Sequence, residues 1–130
     1  MEFGMKIKNI KFKAKQLNSG KWFEGDLVRL GNRVCIGGDH IKDGITDVDP
    51  STVCMFTGLK DCEGNETWEG DILQDVDDDD IKYVVIFDVG AFLARKEGLY
   101  TSIPLHECVG SLGNDVITYA KVVGNKFDKK

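Results

Sequence analysis

Glycine divides this chain into short segments, and two of its glycines occur in the same phrase, Glu-Gly-Asp, at residues 24–26 and 69–71. With 15 glycines spread along the chain, the segments between them leave little room for long helices. Gly adopts positive φ angles without steric cost, and Asp hydrogen-bonds to turn backbone. The repeated phrase therefore predicts two tight turns, each leading into a strand. The residues assigned to turns are Glu24, Gly25, Asp26, Gly58, Gly64, Glu69, Gly70 and Asp71.

Strand-forming patterns fill the segments between the turns. Residues 10–15 alternate apolar residues with lysines, which is the period of a half-buried strand. Residues 83–87 form an almost continuous apolar run and predict a strand buried on both faces. Residues 116–123 predict a last strand. We expect an all-β fold with small SH3-like barrel or sandwich parts and at most one short helix, near residues 105–112.

The length of 130 residues predicts a single domain with one shared core. Within it we expect an N-terminal β part over residues 6–57 and a C-terminal β part over residues 65–124. Residues 125–130 are charged and predict a frayed tail. Residues 1–5 precede the first strand pattern and are interpreted as an added remnant or a disordered tip.

Composition places the chain among ordinary globular proteins. Hydrophobic residues make up 42% of it and charged residues 30%, which argues against global disorder. We find no secretory signal and no apolar run near the roughly 20 residues that cross a bilayer. The four cysteines include no Cys-x-x-Cys pair, so the sequence favours reduced thiols in the cytoplasm. We expect no membrane partner and no cofactor.

Charge is distributed unevenly along the chain. The net charge of -5 argues against binding duplex DNA, which requires a basic surface. The N-terminal end is nevertheless lysine-rich, and tryptophans precede both Glu-Gly-Asp phrases. Aromatic rings beside lysines can contact a partner or a nucleic-acid base. The candidate interaction residues are Trp22, Trp68, Lys11, Lys13 and Lys15.

Several segments together resemble the signature of the YopX family. The central segment, residues 49–61, is followed by Gly64 and then by Trp68-Glu69-Gly70-Asp71-Ile72. Residues 10–14 resemble the opening of the family, residues 22–27 its Trp-x-x-Gly-Asp-Leu pattern, and residues 122–125 its ending. Departures from the pattern leave the turn residues intact; they fall at Lys13, Lys15, Gln16 and Met55.

The resemblance implies context and architecture. Proteins of this family are associated with phages, prophages and mobile elements of bacteria, and their fold is mainly β. No biochemical activity is established for them, so the resemblance provides no catalytic residue to transfer to this chain.

The acidic segment contains the most suggestive spacing for a metal. Asp75, Asp77 and Asp79 have the first three ligand positions of an EF-hand loop. The pattern then fails, because Asp80 stands where the loop needs Gly and Ile86 where it needs Glu. A solvated acidic loop is therefore favoured over a weak magnesium or calcium site or a contact for a basic protein.

Other polar residues allow further hypotheses that the sequence favours less than structural roles. His106 and Cys108 are spaced to ligate zinc or to act as a nucleophile pair, with distant partners such as His40, Cys62 or Asp39. The acidic residues of the two Glu-Gly-Asp phrases would form a general acid and base if the phrases faced one another. Stabilisation of turns explains those acidic residues as well.

Three functions remain open on these grounds. The leading one is a non-enzymatic accessory protein of a phage, prophage or mobile element, which acts through protein contacts or self-association. The second is a nucleic-acid-binding module that uses the lysine-rich N-terminal strand, although the net charge makes such a partner less favoured. The third is a metal-dependent hydrolase.

Overall fold

The structure is a computed structural model that describes residues 6–96, 102–105 and 116–128. Strands and turns make up nearly all of these residues, with a single four-residue α-helix among those described, so the all-β prediction is confirmed. The chain divides into two compact units, Met1–Phe56 and Thr57–Lys130. This boundary lies beside residue 57, where the predicted N-terminal part ends. Residues 1–5 lie outside the described residues.

The first unit is an antiparallel sheet that closes into a small barrel. The strands are β1 (Phe12–Lys15), β2 (Trp22–Leu30), β3 (Arg33–Gly37), β4 (Ile45–Asp47) and β5 (Cys54–Lys60). They pair in the order β4, β3, β2, β1 and the start of β5. Closure comes from an isolated bridge between Gln16 and Val48, and from the backbone N–H of Leu17, which donates to the carbonyl of Asp47 at 3.1 Å.

Apolar side chains on alternate positions fill this barrel. Ala14 of β1 is fully buried, whereas the lysines on either side of it are half-buried. The alternation predicted for residues 10–15 is therefore confirmed for β1, although a short 3₁₀ helix, Ile7–Asn9, comes before it. The buried core consists of Ala14, Ile36, Ile41 and Val48, and Phe12, Phe23, Leu27, Val34 and Val53 pack around it.

The first Glu-Gly-Asp phrase forms no turn, and the prediction for Glu24, Gly25 and Asp26 is wrong. All three lie inside β2, where Gly25 pairs with Phe12. A β-carbon on Gly25 would lie 2.2 Å from the carbonyl oxygen of Gly37. The glycine is thus required by the close approach of two backbones. It also marks a change of partner, because β2 pairs with β1 up to Gly25 and with β3 from Asp26 onward.

The elements of the second unit are β6 (Glu66–Trp68), β7 (Asp71–Asp75), β8 (Lys82–Asp88), β9 (Ala91–Lys96), β10 (Ser102–Pro104), α1 (Val116–Tyr119) and β11 (Ala120–Asn125). Five of these strands form an antiparallel sheet in the order β10-β9-β8-β7-β11. The buried core of this unit includes Leu73, Val85, Ala94 and Leu105.

Three details of the second unit differ from expectation. Residues 116–119 form α1, so the last strand begins at Ala120, while most of the segment expected to be helical lies outside the described residues. Burial alternates along β8 and Phe87 is 45% exposed, so this strand is covered on one face only. Residues 126–128 form a turn, in which the N–H of Lys126 donates to the Gly70 carbonyl at 2.9 Å.

We predict that Gly25→Ala destabilises the barrel by several kcal/mol, because the added methyl group would meet the backbone of Gly37 and neither strand can move without losing pairs. Gly20→Ala is the matched control, since Gly20 has a φ of +72° but nothing within 4 Å of its β-carbon position. That variant should lose only about 1 kcal/mol from backbone strain. Urea unfolding measures both losses, and equal losses would contradict the close-approach explanation.

Candidate functional site

The loop after β5 is organised by one enclosed carboxylate, Asp61, which is 6% exposed. One of its oxygens accepts the backbone N–H groups of Glu63 and Asn65 at 2.9 and 2.8 Å. The other accepts the Asn65 side-chain amide at 3.1 Å and the N–H of Val122 in β11 at 2.8 Å. This single side chain therefore shapes the loop and attaches it to the last strand. Gly64, with φ at +86°, completes the predicted turn.

The hydrogen bonds also determine the charge state of Asp61. Burial alone would raise the pKa of its carboxyl, but the hydrogen bonds donated to the carboxylate outweigh burial and hold the pKa below its ordinary value. The carboxylate is therefore ionised in the folded protein at neutral pH and acts as an acceptor only. A carboxylate whose two oxygens already accept four hydrogen bonds stabilises the structure and is a poor general acid.

The second Glu-Gly-Asp phrase does form the predicted turn. Gly70 has a φ of +87°, and Asp71 is 2% exposed. The Asp71 carboxylate accepts the backbone N–H of Trp68 at 2.7 Å and the side-chain amide of Asn125 at 3.0 Å. The Asn125 side-chain oxygen in turn accepts the N–H of Phe127 at 2.9 Å. Asp71 thus connects the turn to the end of β11, and this enclosure speaks against an acid–base role.

Gly58 has a different place from the one predicted. It lies inside β5 with a φ of +82°, so it bends a strand and does not separate two elements. Next to it, the hydroxyl of Thr57 donates to the Thr67 carbonyl at 2.7 Å and accepts the N–H of Leu59 at 3.0 Å. The threonine side chain therefore compensates for backbone pairing that the positive φ disturbs.

The acidic loop uses its carboxylates to stabilise its own backbone. Asp75 accepts the N–H of Asp77 at 2.7 Å, and Asp78 accepts the N–H of Asp80 at 3.0 Å. Asp79 accepts the side-chain amide of Gln74 at 3.1 Å. Among the described residues, no three His, Cys, Asp or Glu side chains gather as metal ligands. His106 and Cys108 lie outside the described residues.

The described cysteines are free thiols, and Cys35 and Cys54 are buried. Cys35 donates to a side-chain oxygen of Asp47 at 3.1 Å, and the same oxygen accepts a hydrogen bond from Arg33 at 2.9 Å. Burial, followed by the interaction with Asp47, raises the pKa of the Cys35 thiol. Burial also raises the pKa of the exposed Cys62, with a further contribution from neighbouring carboxylates. Raised pKa values disfavour the thiolate that nucleophilic catalysis requires.

Lysines and an aromatic ring meet on the outer face of the barrel. Lys15 of β1 lies directly opposite Trp22 of β2, and Lys13 lies opposite Glu24. The ammonium groups of Lys13 and Lys15 are 4.7 and 5.4 Å from the centre of the Trp22 ring. Three of the predicted interaction residues, Lys13, Lys15 and Trp22, therefore lie close together. We call Lys11, Lys13, Lys15 and Trp22 the lysine–tryptophan face.

Lys11 of this face contacts a carboxylate and an aromatic ring. The ammonium group of Lys11 lies 3.8 Å from the Glu24 carboxylate and 4.8 Å from the centre of the Phe56 ring. Trp22 is half-buried, whereas Trp68 is 4% exposed. Trp68 therefore belongs to the interior and offers no ring surface to a partner, so the two tryptophans, which precede matching phrases, have different roles.

The hairpin of β8 and β9 carries an apolar end that the sequence reasoning did not single out. Val89 and Gly90 form its two-residue turn, with φ angles of +46° and +80°. Turns of this kind favour Asn, Asp or Gly, so a β-branched residue is strained there. Val89 is also 89% exposed, and next to it the rings of Phe87 and Phe92 meet edge to face at 4.9 Å. We call Phe87, Val89 and Phe92 the apolar tip.

A signal for the apolar tip is present in the sequence. Val-Gly follows Asp88 between two strand patterns, at a position where hairpins commonly have Asn-Gly. The sequence predicted that residues 83–87 are buried on both faces, so it gave no indication that Phe87 is exposed.

These observations define an all-β protein of two small units whose recurrent glycines and aspartates maintain its turns. No helix of the described residues has the length and apolar character needed to cross a membrane. The family model described as YopX protein matches residues 11–129, and the chain belongs to the YopX family. No curated protein matches the sequence. The signature positions Asp61, Gly64, Gly70, Asp71 and Asn125 are those that form the hydrogen-bonded turns of the second unit.

We predict that Asp61 makes stability depend on acid pH. Its pKa is lower in the folded protein than in the unfolded chain, so its contribution is complete above the unfolded value of about 3.9 and is lost as pH falls through the folded value. Asp61→Asn should therefore cost about 1–3 kcal/mol at neutral pH, because the amide turns donors toward N–H groups.

The same variant should flatten the loss of stability below about pH 4. Asp39→Asn, at an exposed position, serves as the charge-matched control and should follow the wild-type pH profile. Urea titrations between acid and neutral pH measure both variants. Parallel profiles for wild type and Asp61→Asn would show that the Asp61 carboxylate contributes nothing to acid sensitivity.

For the second network, we predict that Asn125→Ala destabilises the second unit by about 2–4 kcal/mol, because a buried carboxylate loses a hydrogen-bond donor. The variant also removes the acceptor for Phe127, so amide exchange at residues 126–128 should accelerate. Hydrogen exchange read residue by residue tests this expectation. Unchanged protection at these residues would mean that the Asn125 side chain does not hold the chain end.

Proposed function

We propose that this protein is a non-enzymatic accessory protein of a phage, prophage or other mobile element, and that it acts through protein contacts in the cytoplasm of a bacterial host. Membership of the YopX family supports the phage context. The observation that carries the contact function is the apolar tip. The polar networks of the described residues support folding, and we assign no catalysis to them.

The energetics of Val89 support this proposal. A non-glycine residue at positive φ costs on the order of 1–3 kcal/mol. In an ordinary hairpin, Asn or Gly at this position avoids that cost. A valine at the same position would offset the cost only if its side chain were buried. Val89 is 89% exposed, so its side chain gains little from the folded chain. A partner that encloses the valine would recover about 1.5–3 kcal/mol of apolar burial.

The neighbouring phenylalanines enlarge the contact. Phe87 is 45% exposed and holds the ring of Phe92 in an edge-to-face contact. Aromatic residues packed together at a protruding position are typical anchors of protein interfaces. The partner surface that fits such a tip is an apolar pocket on another protein, and a pocket on a second copy of this chain is the alternative that a mass measurement distinguishes.

A stability measurement tests the strain at Val89. Val89→Asn should raise the free energy of unfolding by about 1 kcal/mol, because Asn tolerates the left-handed conformation that this turn requires. Val89→Ala keeps the strain and removes the apolar contact, so it should not gain stability. Equal stabilities of wild type and Val89→Asn would remove the strain argument.

The contact itself is tested by capture from lysates of lysogenic or phage-infected host cells, together with native mass determination. Wild-type protein should retain a specific partner, or a second copy, that Val89→Asn loses while remaining fully folded. Val76→Asn, at another exposed valine of the same unit, is the matched control and should retain it. If wild type, Val89→Asn and Val76→Asn retained a specific partner equally, the partner would bind outside the apolar tip.

A further inference from the structure

We propose that the lysine–tryptophan face binds a single strand of nucleic acid, with phosphates at Lys13 and Lys15 and a base against the ring of Trp22. The proposal is independent of the apolar tip, which lies on the other unit. It rests on the positions of side chains on one sheet face, on local charge, and on the chemistry that these two side-chain types share.

The geometry places cations at regular intervals. Lys11, Lys13 and Lys15 occupy alternate positions of one extended segment and point away from the barrel core. Alternate residues of a strand are roughly 7 Å apart. The backbone positions of these lysines therefore follow the direction of an extended phosphodiester chain, while the ammonium groups of Lys13 and Lys15 converge on the Trp22 ring. Lys21 is exposed and lies one residue before Trp22, so it adds a further positive charge to this end of the sheet.

The aromatic ring distinguishes this face from a purely electrostatic one. Two ammonium groups lie 4.7 and 5.4 Å from the centre of the Trp22 ring, and the side chain is half-buried. Single-strand-binding proteins combine a positive track for the backbone with aromatic rings on which bases stack. An acidic polypeptide would use the lysines but would gain little from the indole. The combination therefore favours a nucleic-acid strand over an acidic protein.

The overall charge of the chain favours a short single strand over a duplex. A net charge of -5 repels long polyanions and argues against a duplex, which offers no unstacked base to the ring. A short single strand touches only the lysine-bearing face. The carboxylate of Glu24 lies beside that face, 3.8 Å from the ammonium group of Lys11, and it disfavours a phosphate at that position.

The experiment is a titration of the full chain with a fluorescein-labelled dT oligonucleotide of about 12 nucleotides at several salt concentrations, followed by anisotropy. Trp fluorescence is followed in parallel. Binding should weaken linearly in log–log form with salt, by roughly 0.7 in slope for each phosphate contacted. Trp22→Ala should weaken binding roughly tenfold, as expected for loss of one stacked base. Fluorescence quenching should disappear with Trp22→Phe, since Trp68 is enclosed.

Charge variants locate the contact. The pair Lys13→Gln and Lys15→Gln should reduce affinity about tenfold and lower the salt slope by roughly 1.4, whereas Lys13→Arg with Lys15→Arg should restore both. Lys42→Gln, at an exposed lysine of the same unit, removes one charge away from the face and should leave binding unchanged. Circular dichroism confirms that each variant is folded.

Three results would overturn the proposal. One is the lack of oligonucleotide binding at low salt. Another is equal weakening by Lys42→Gln and by a single Lys13→Gln, which would indicate a diffuse charge effect. The last is tighter binding of poly-glutamate than of dT, unaffected by Trp22→Ala, which would make the face a contact for acidic proteins. None of these results bears on the apolar tip, whose capture assay stands by itself.

Discussion

The second unit depends on enclosed aspartates that accept backbone N–H groups. Asp61 accepts from both sides of its own loop and from β11, and Asp71 accepts from its own turn and from Asn125. Each carboxylate therefore joins segments that are far apart in the chain. Loops of this kind contribute little apolar area, so hydrogen bonds to ionised acceptors hold them where packing alone would not. Asp61, Asp71 and Asn125, which make these contacts, all belong to the family signature.

This arrangement separates folding residues from contact residues. The signature residues Asp61 and Asp71 are enclosed and hydrogen-bonded, whereas the apolar tip lies outside the segments that carry the family signature. The lysine–tryptophan face lies partly inside those segments, at Lys11, Lys13 and Trp22. The turn residues explain the fold, so function has to be argued from each surface separately.

The sequence predicted the strands and the second Glu-Gly-Asp turn because those features depend on local chemistry. Alternation in residues 10–15 and the Gly-Asp pair at residues 70–71 needed no knowledge of distant contacts. Asp71 was recognised as a turn residue, but its contact with Asn125 joins positions that no local pattern connects. Gly25 was misassigned for the same reason, since only the strand carrying Gly37 shows why a side chain cannot fit.

The exchange of partners along β2 has a consequence for how the barrel assembles. The half of β2 after Gly25 pairs with β3 across the short turn at Gly31 and Asn32, so this hairpin closes a very small loop. Joining β1 to β5 closes a segment of about 40 residues and costs more chain entropy. Folding of the barrel is therefore expected to start at the β2–β3 hairpin and to finish when β5 arrives. In a chain made on the ribosome, β5 is also the last of these strands to emerge.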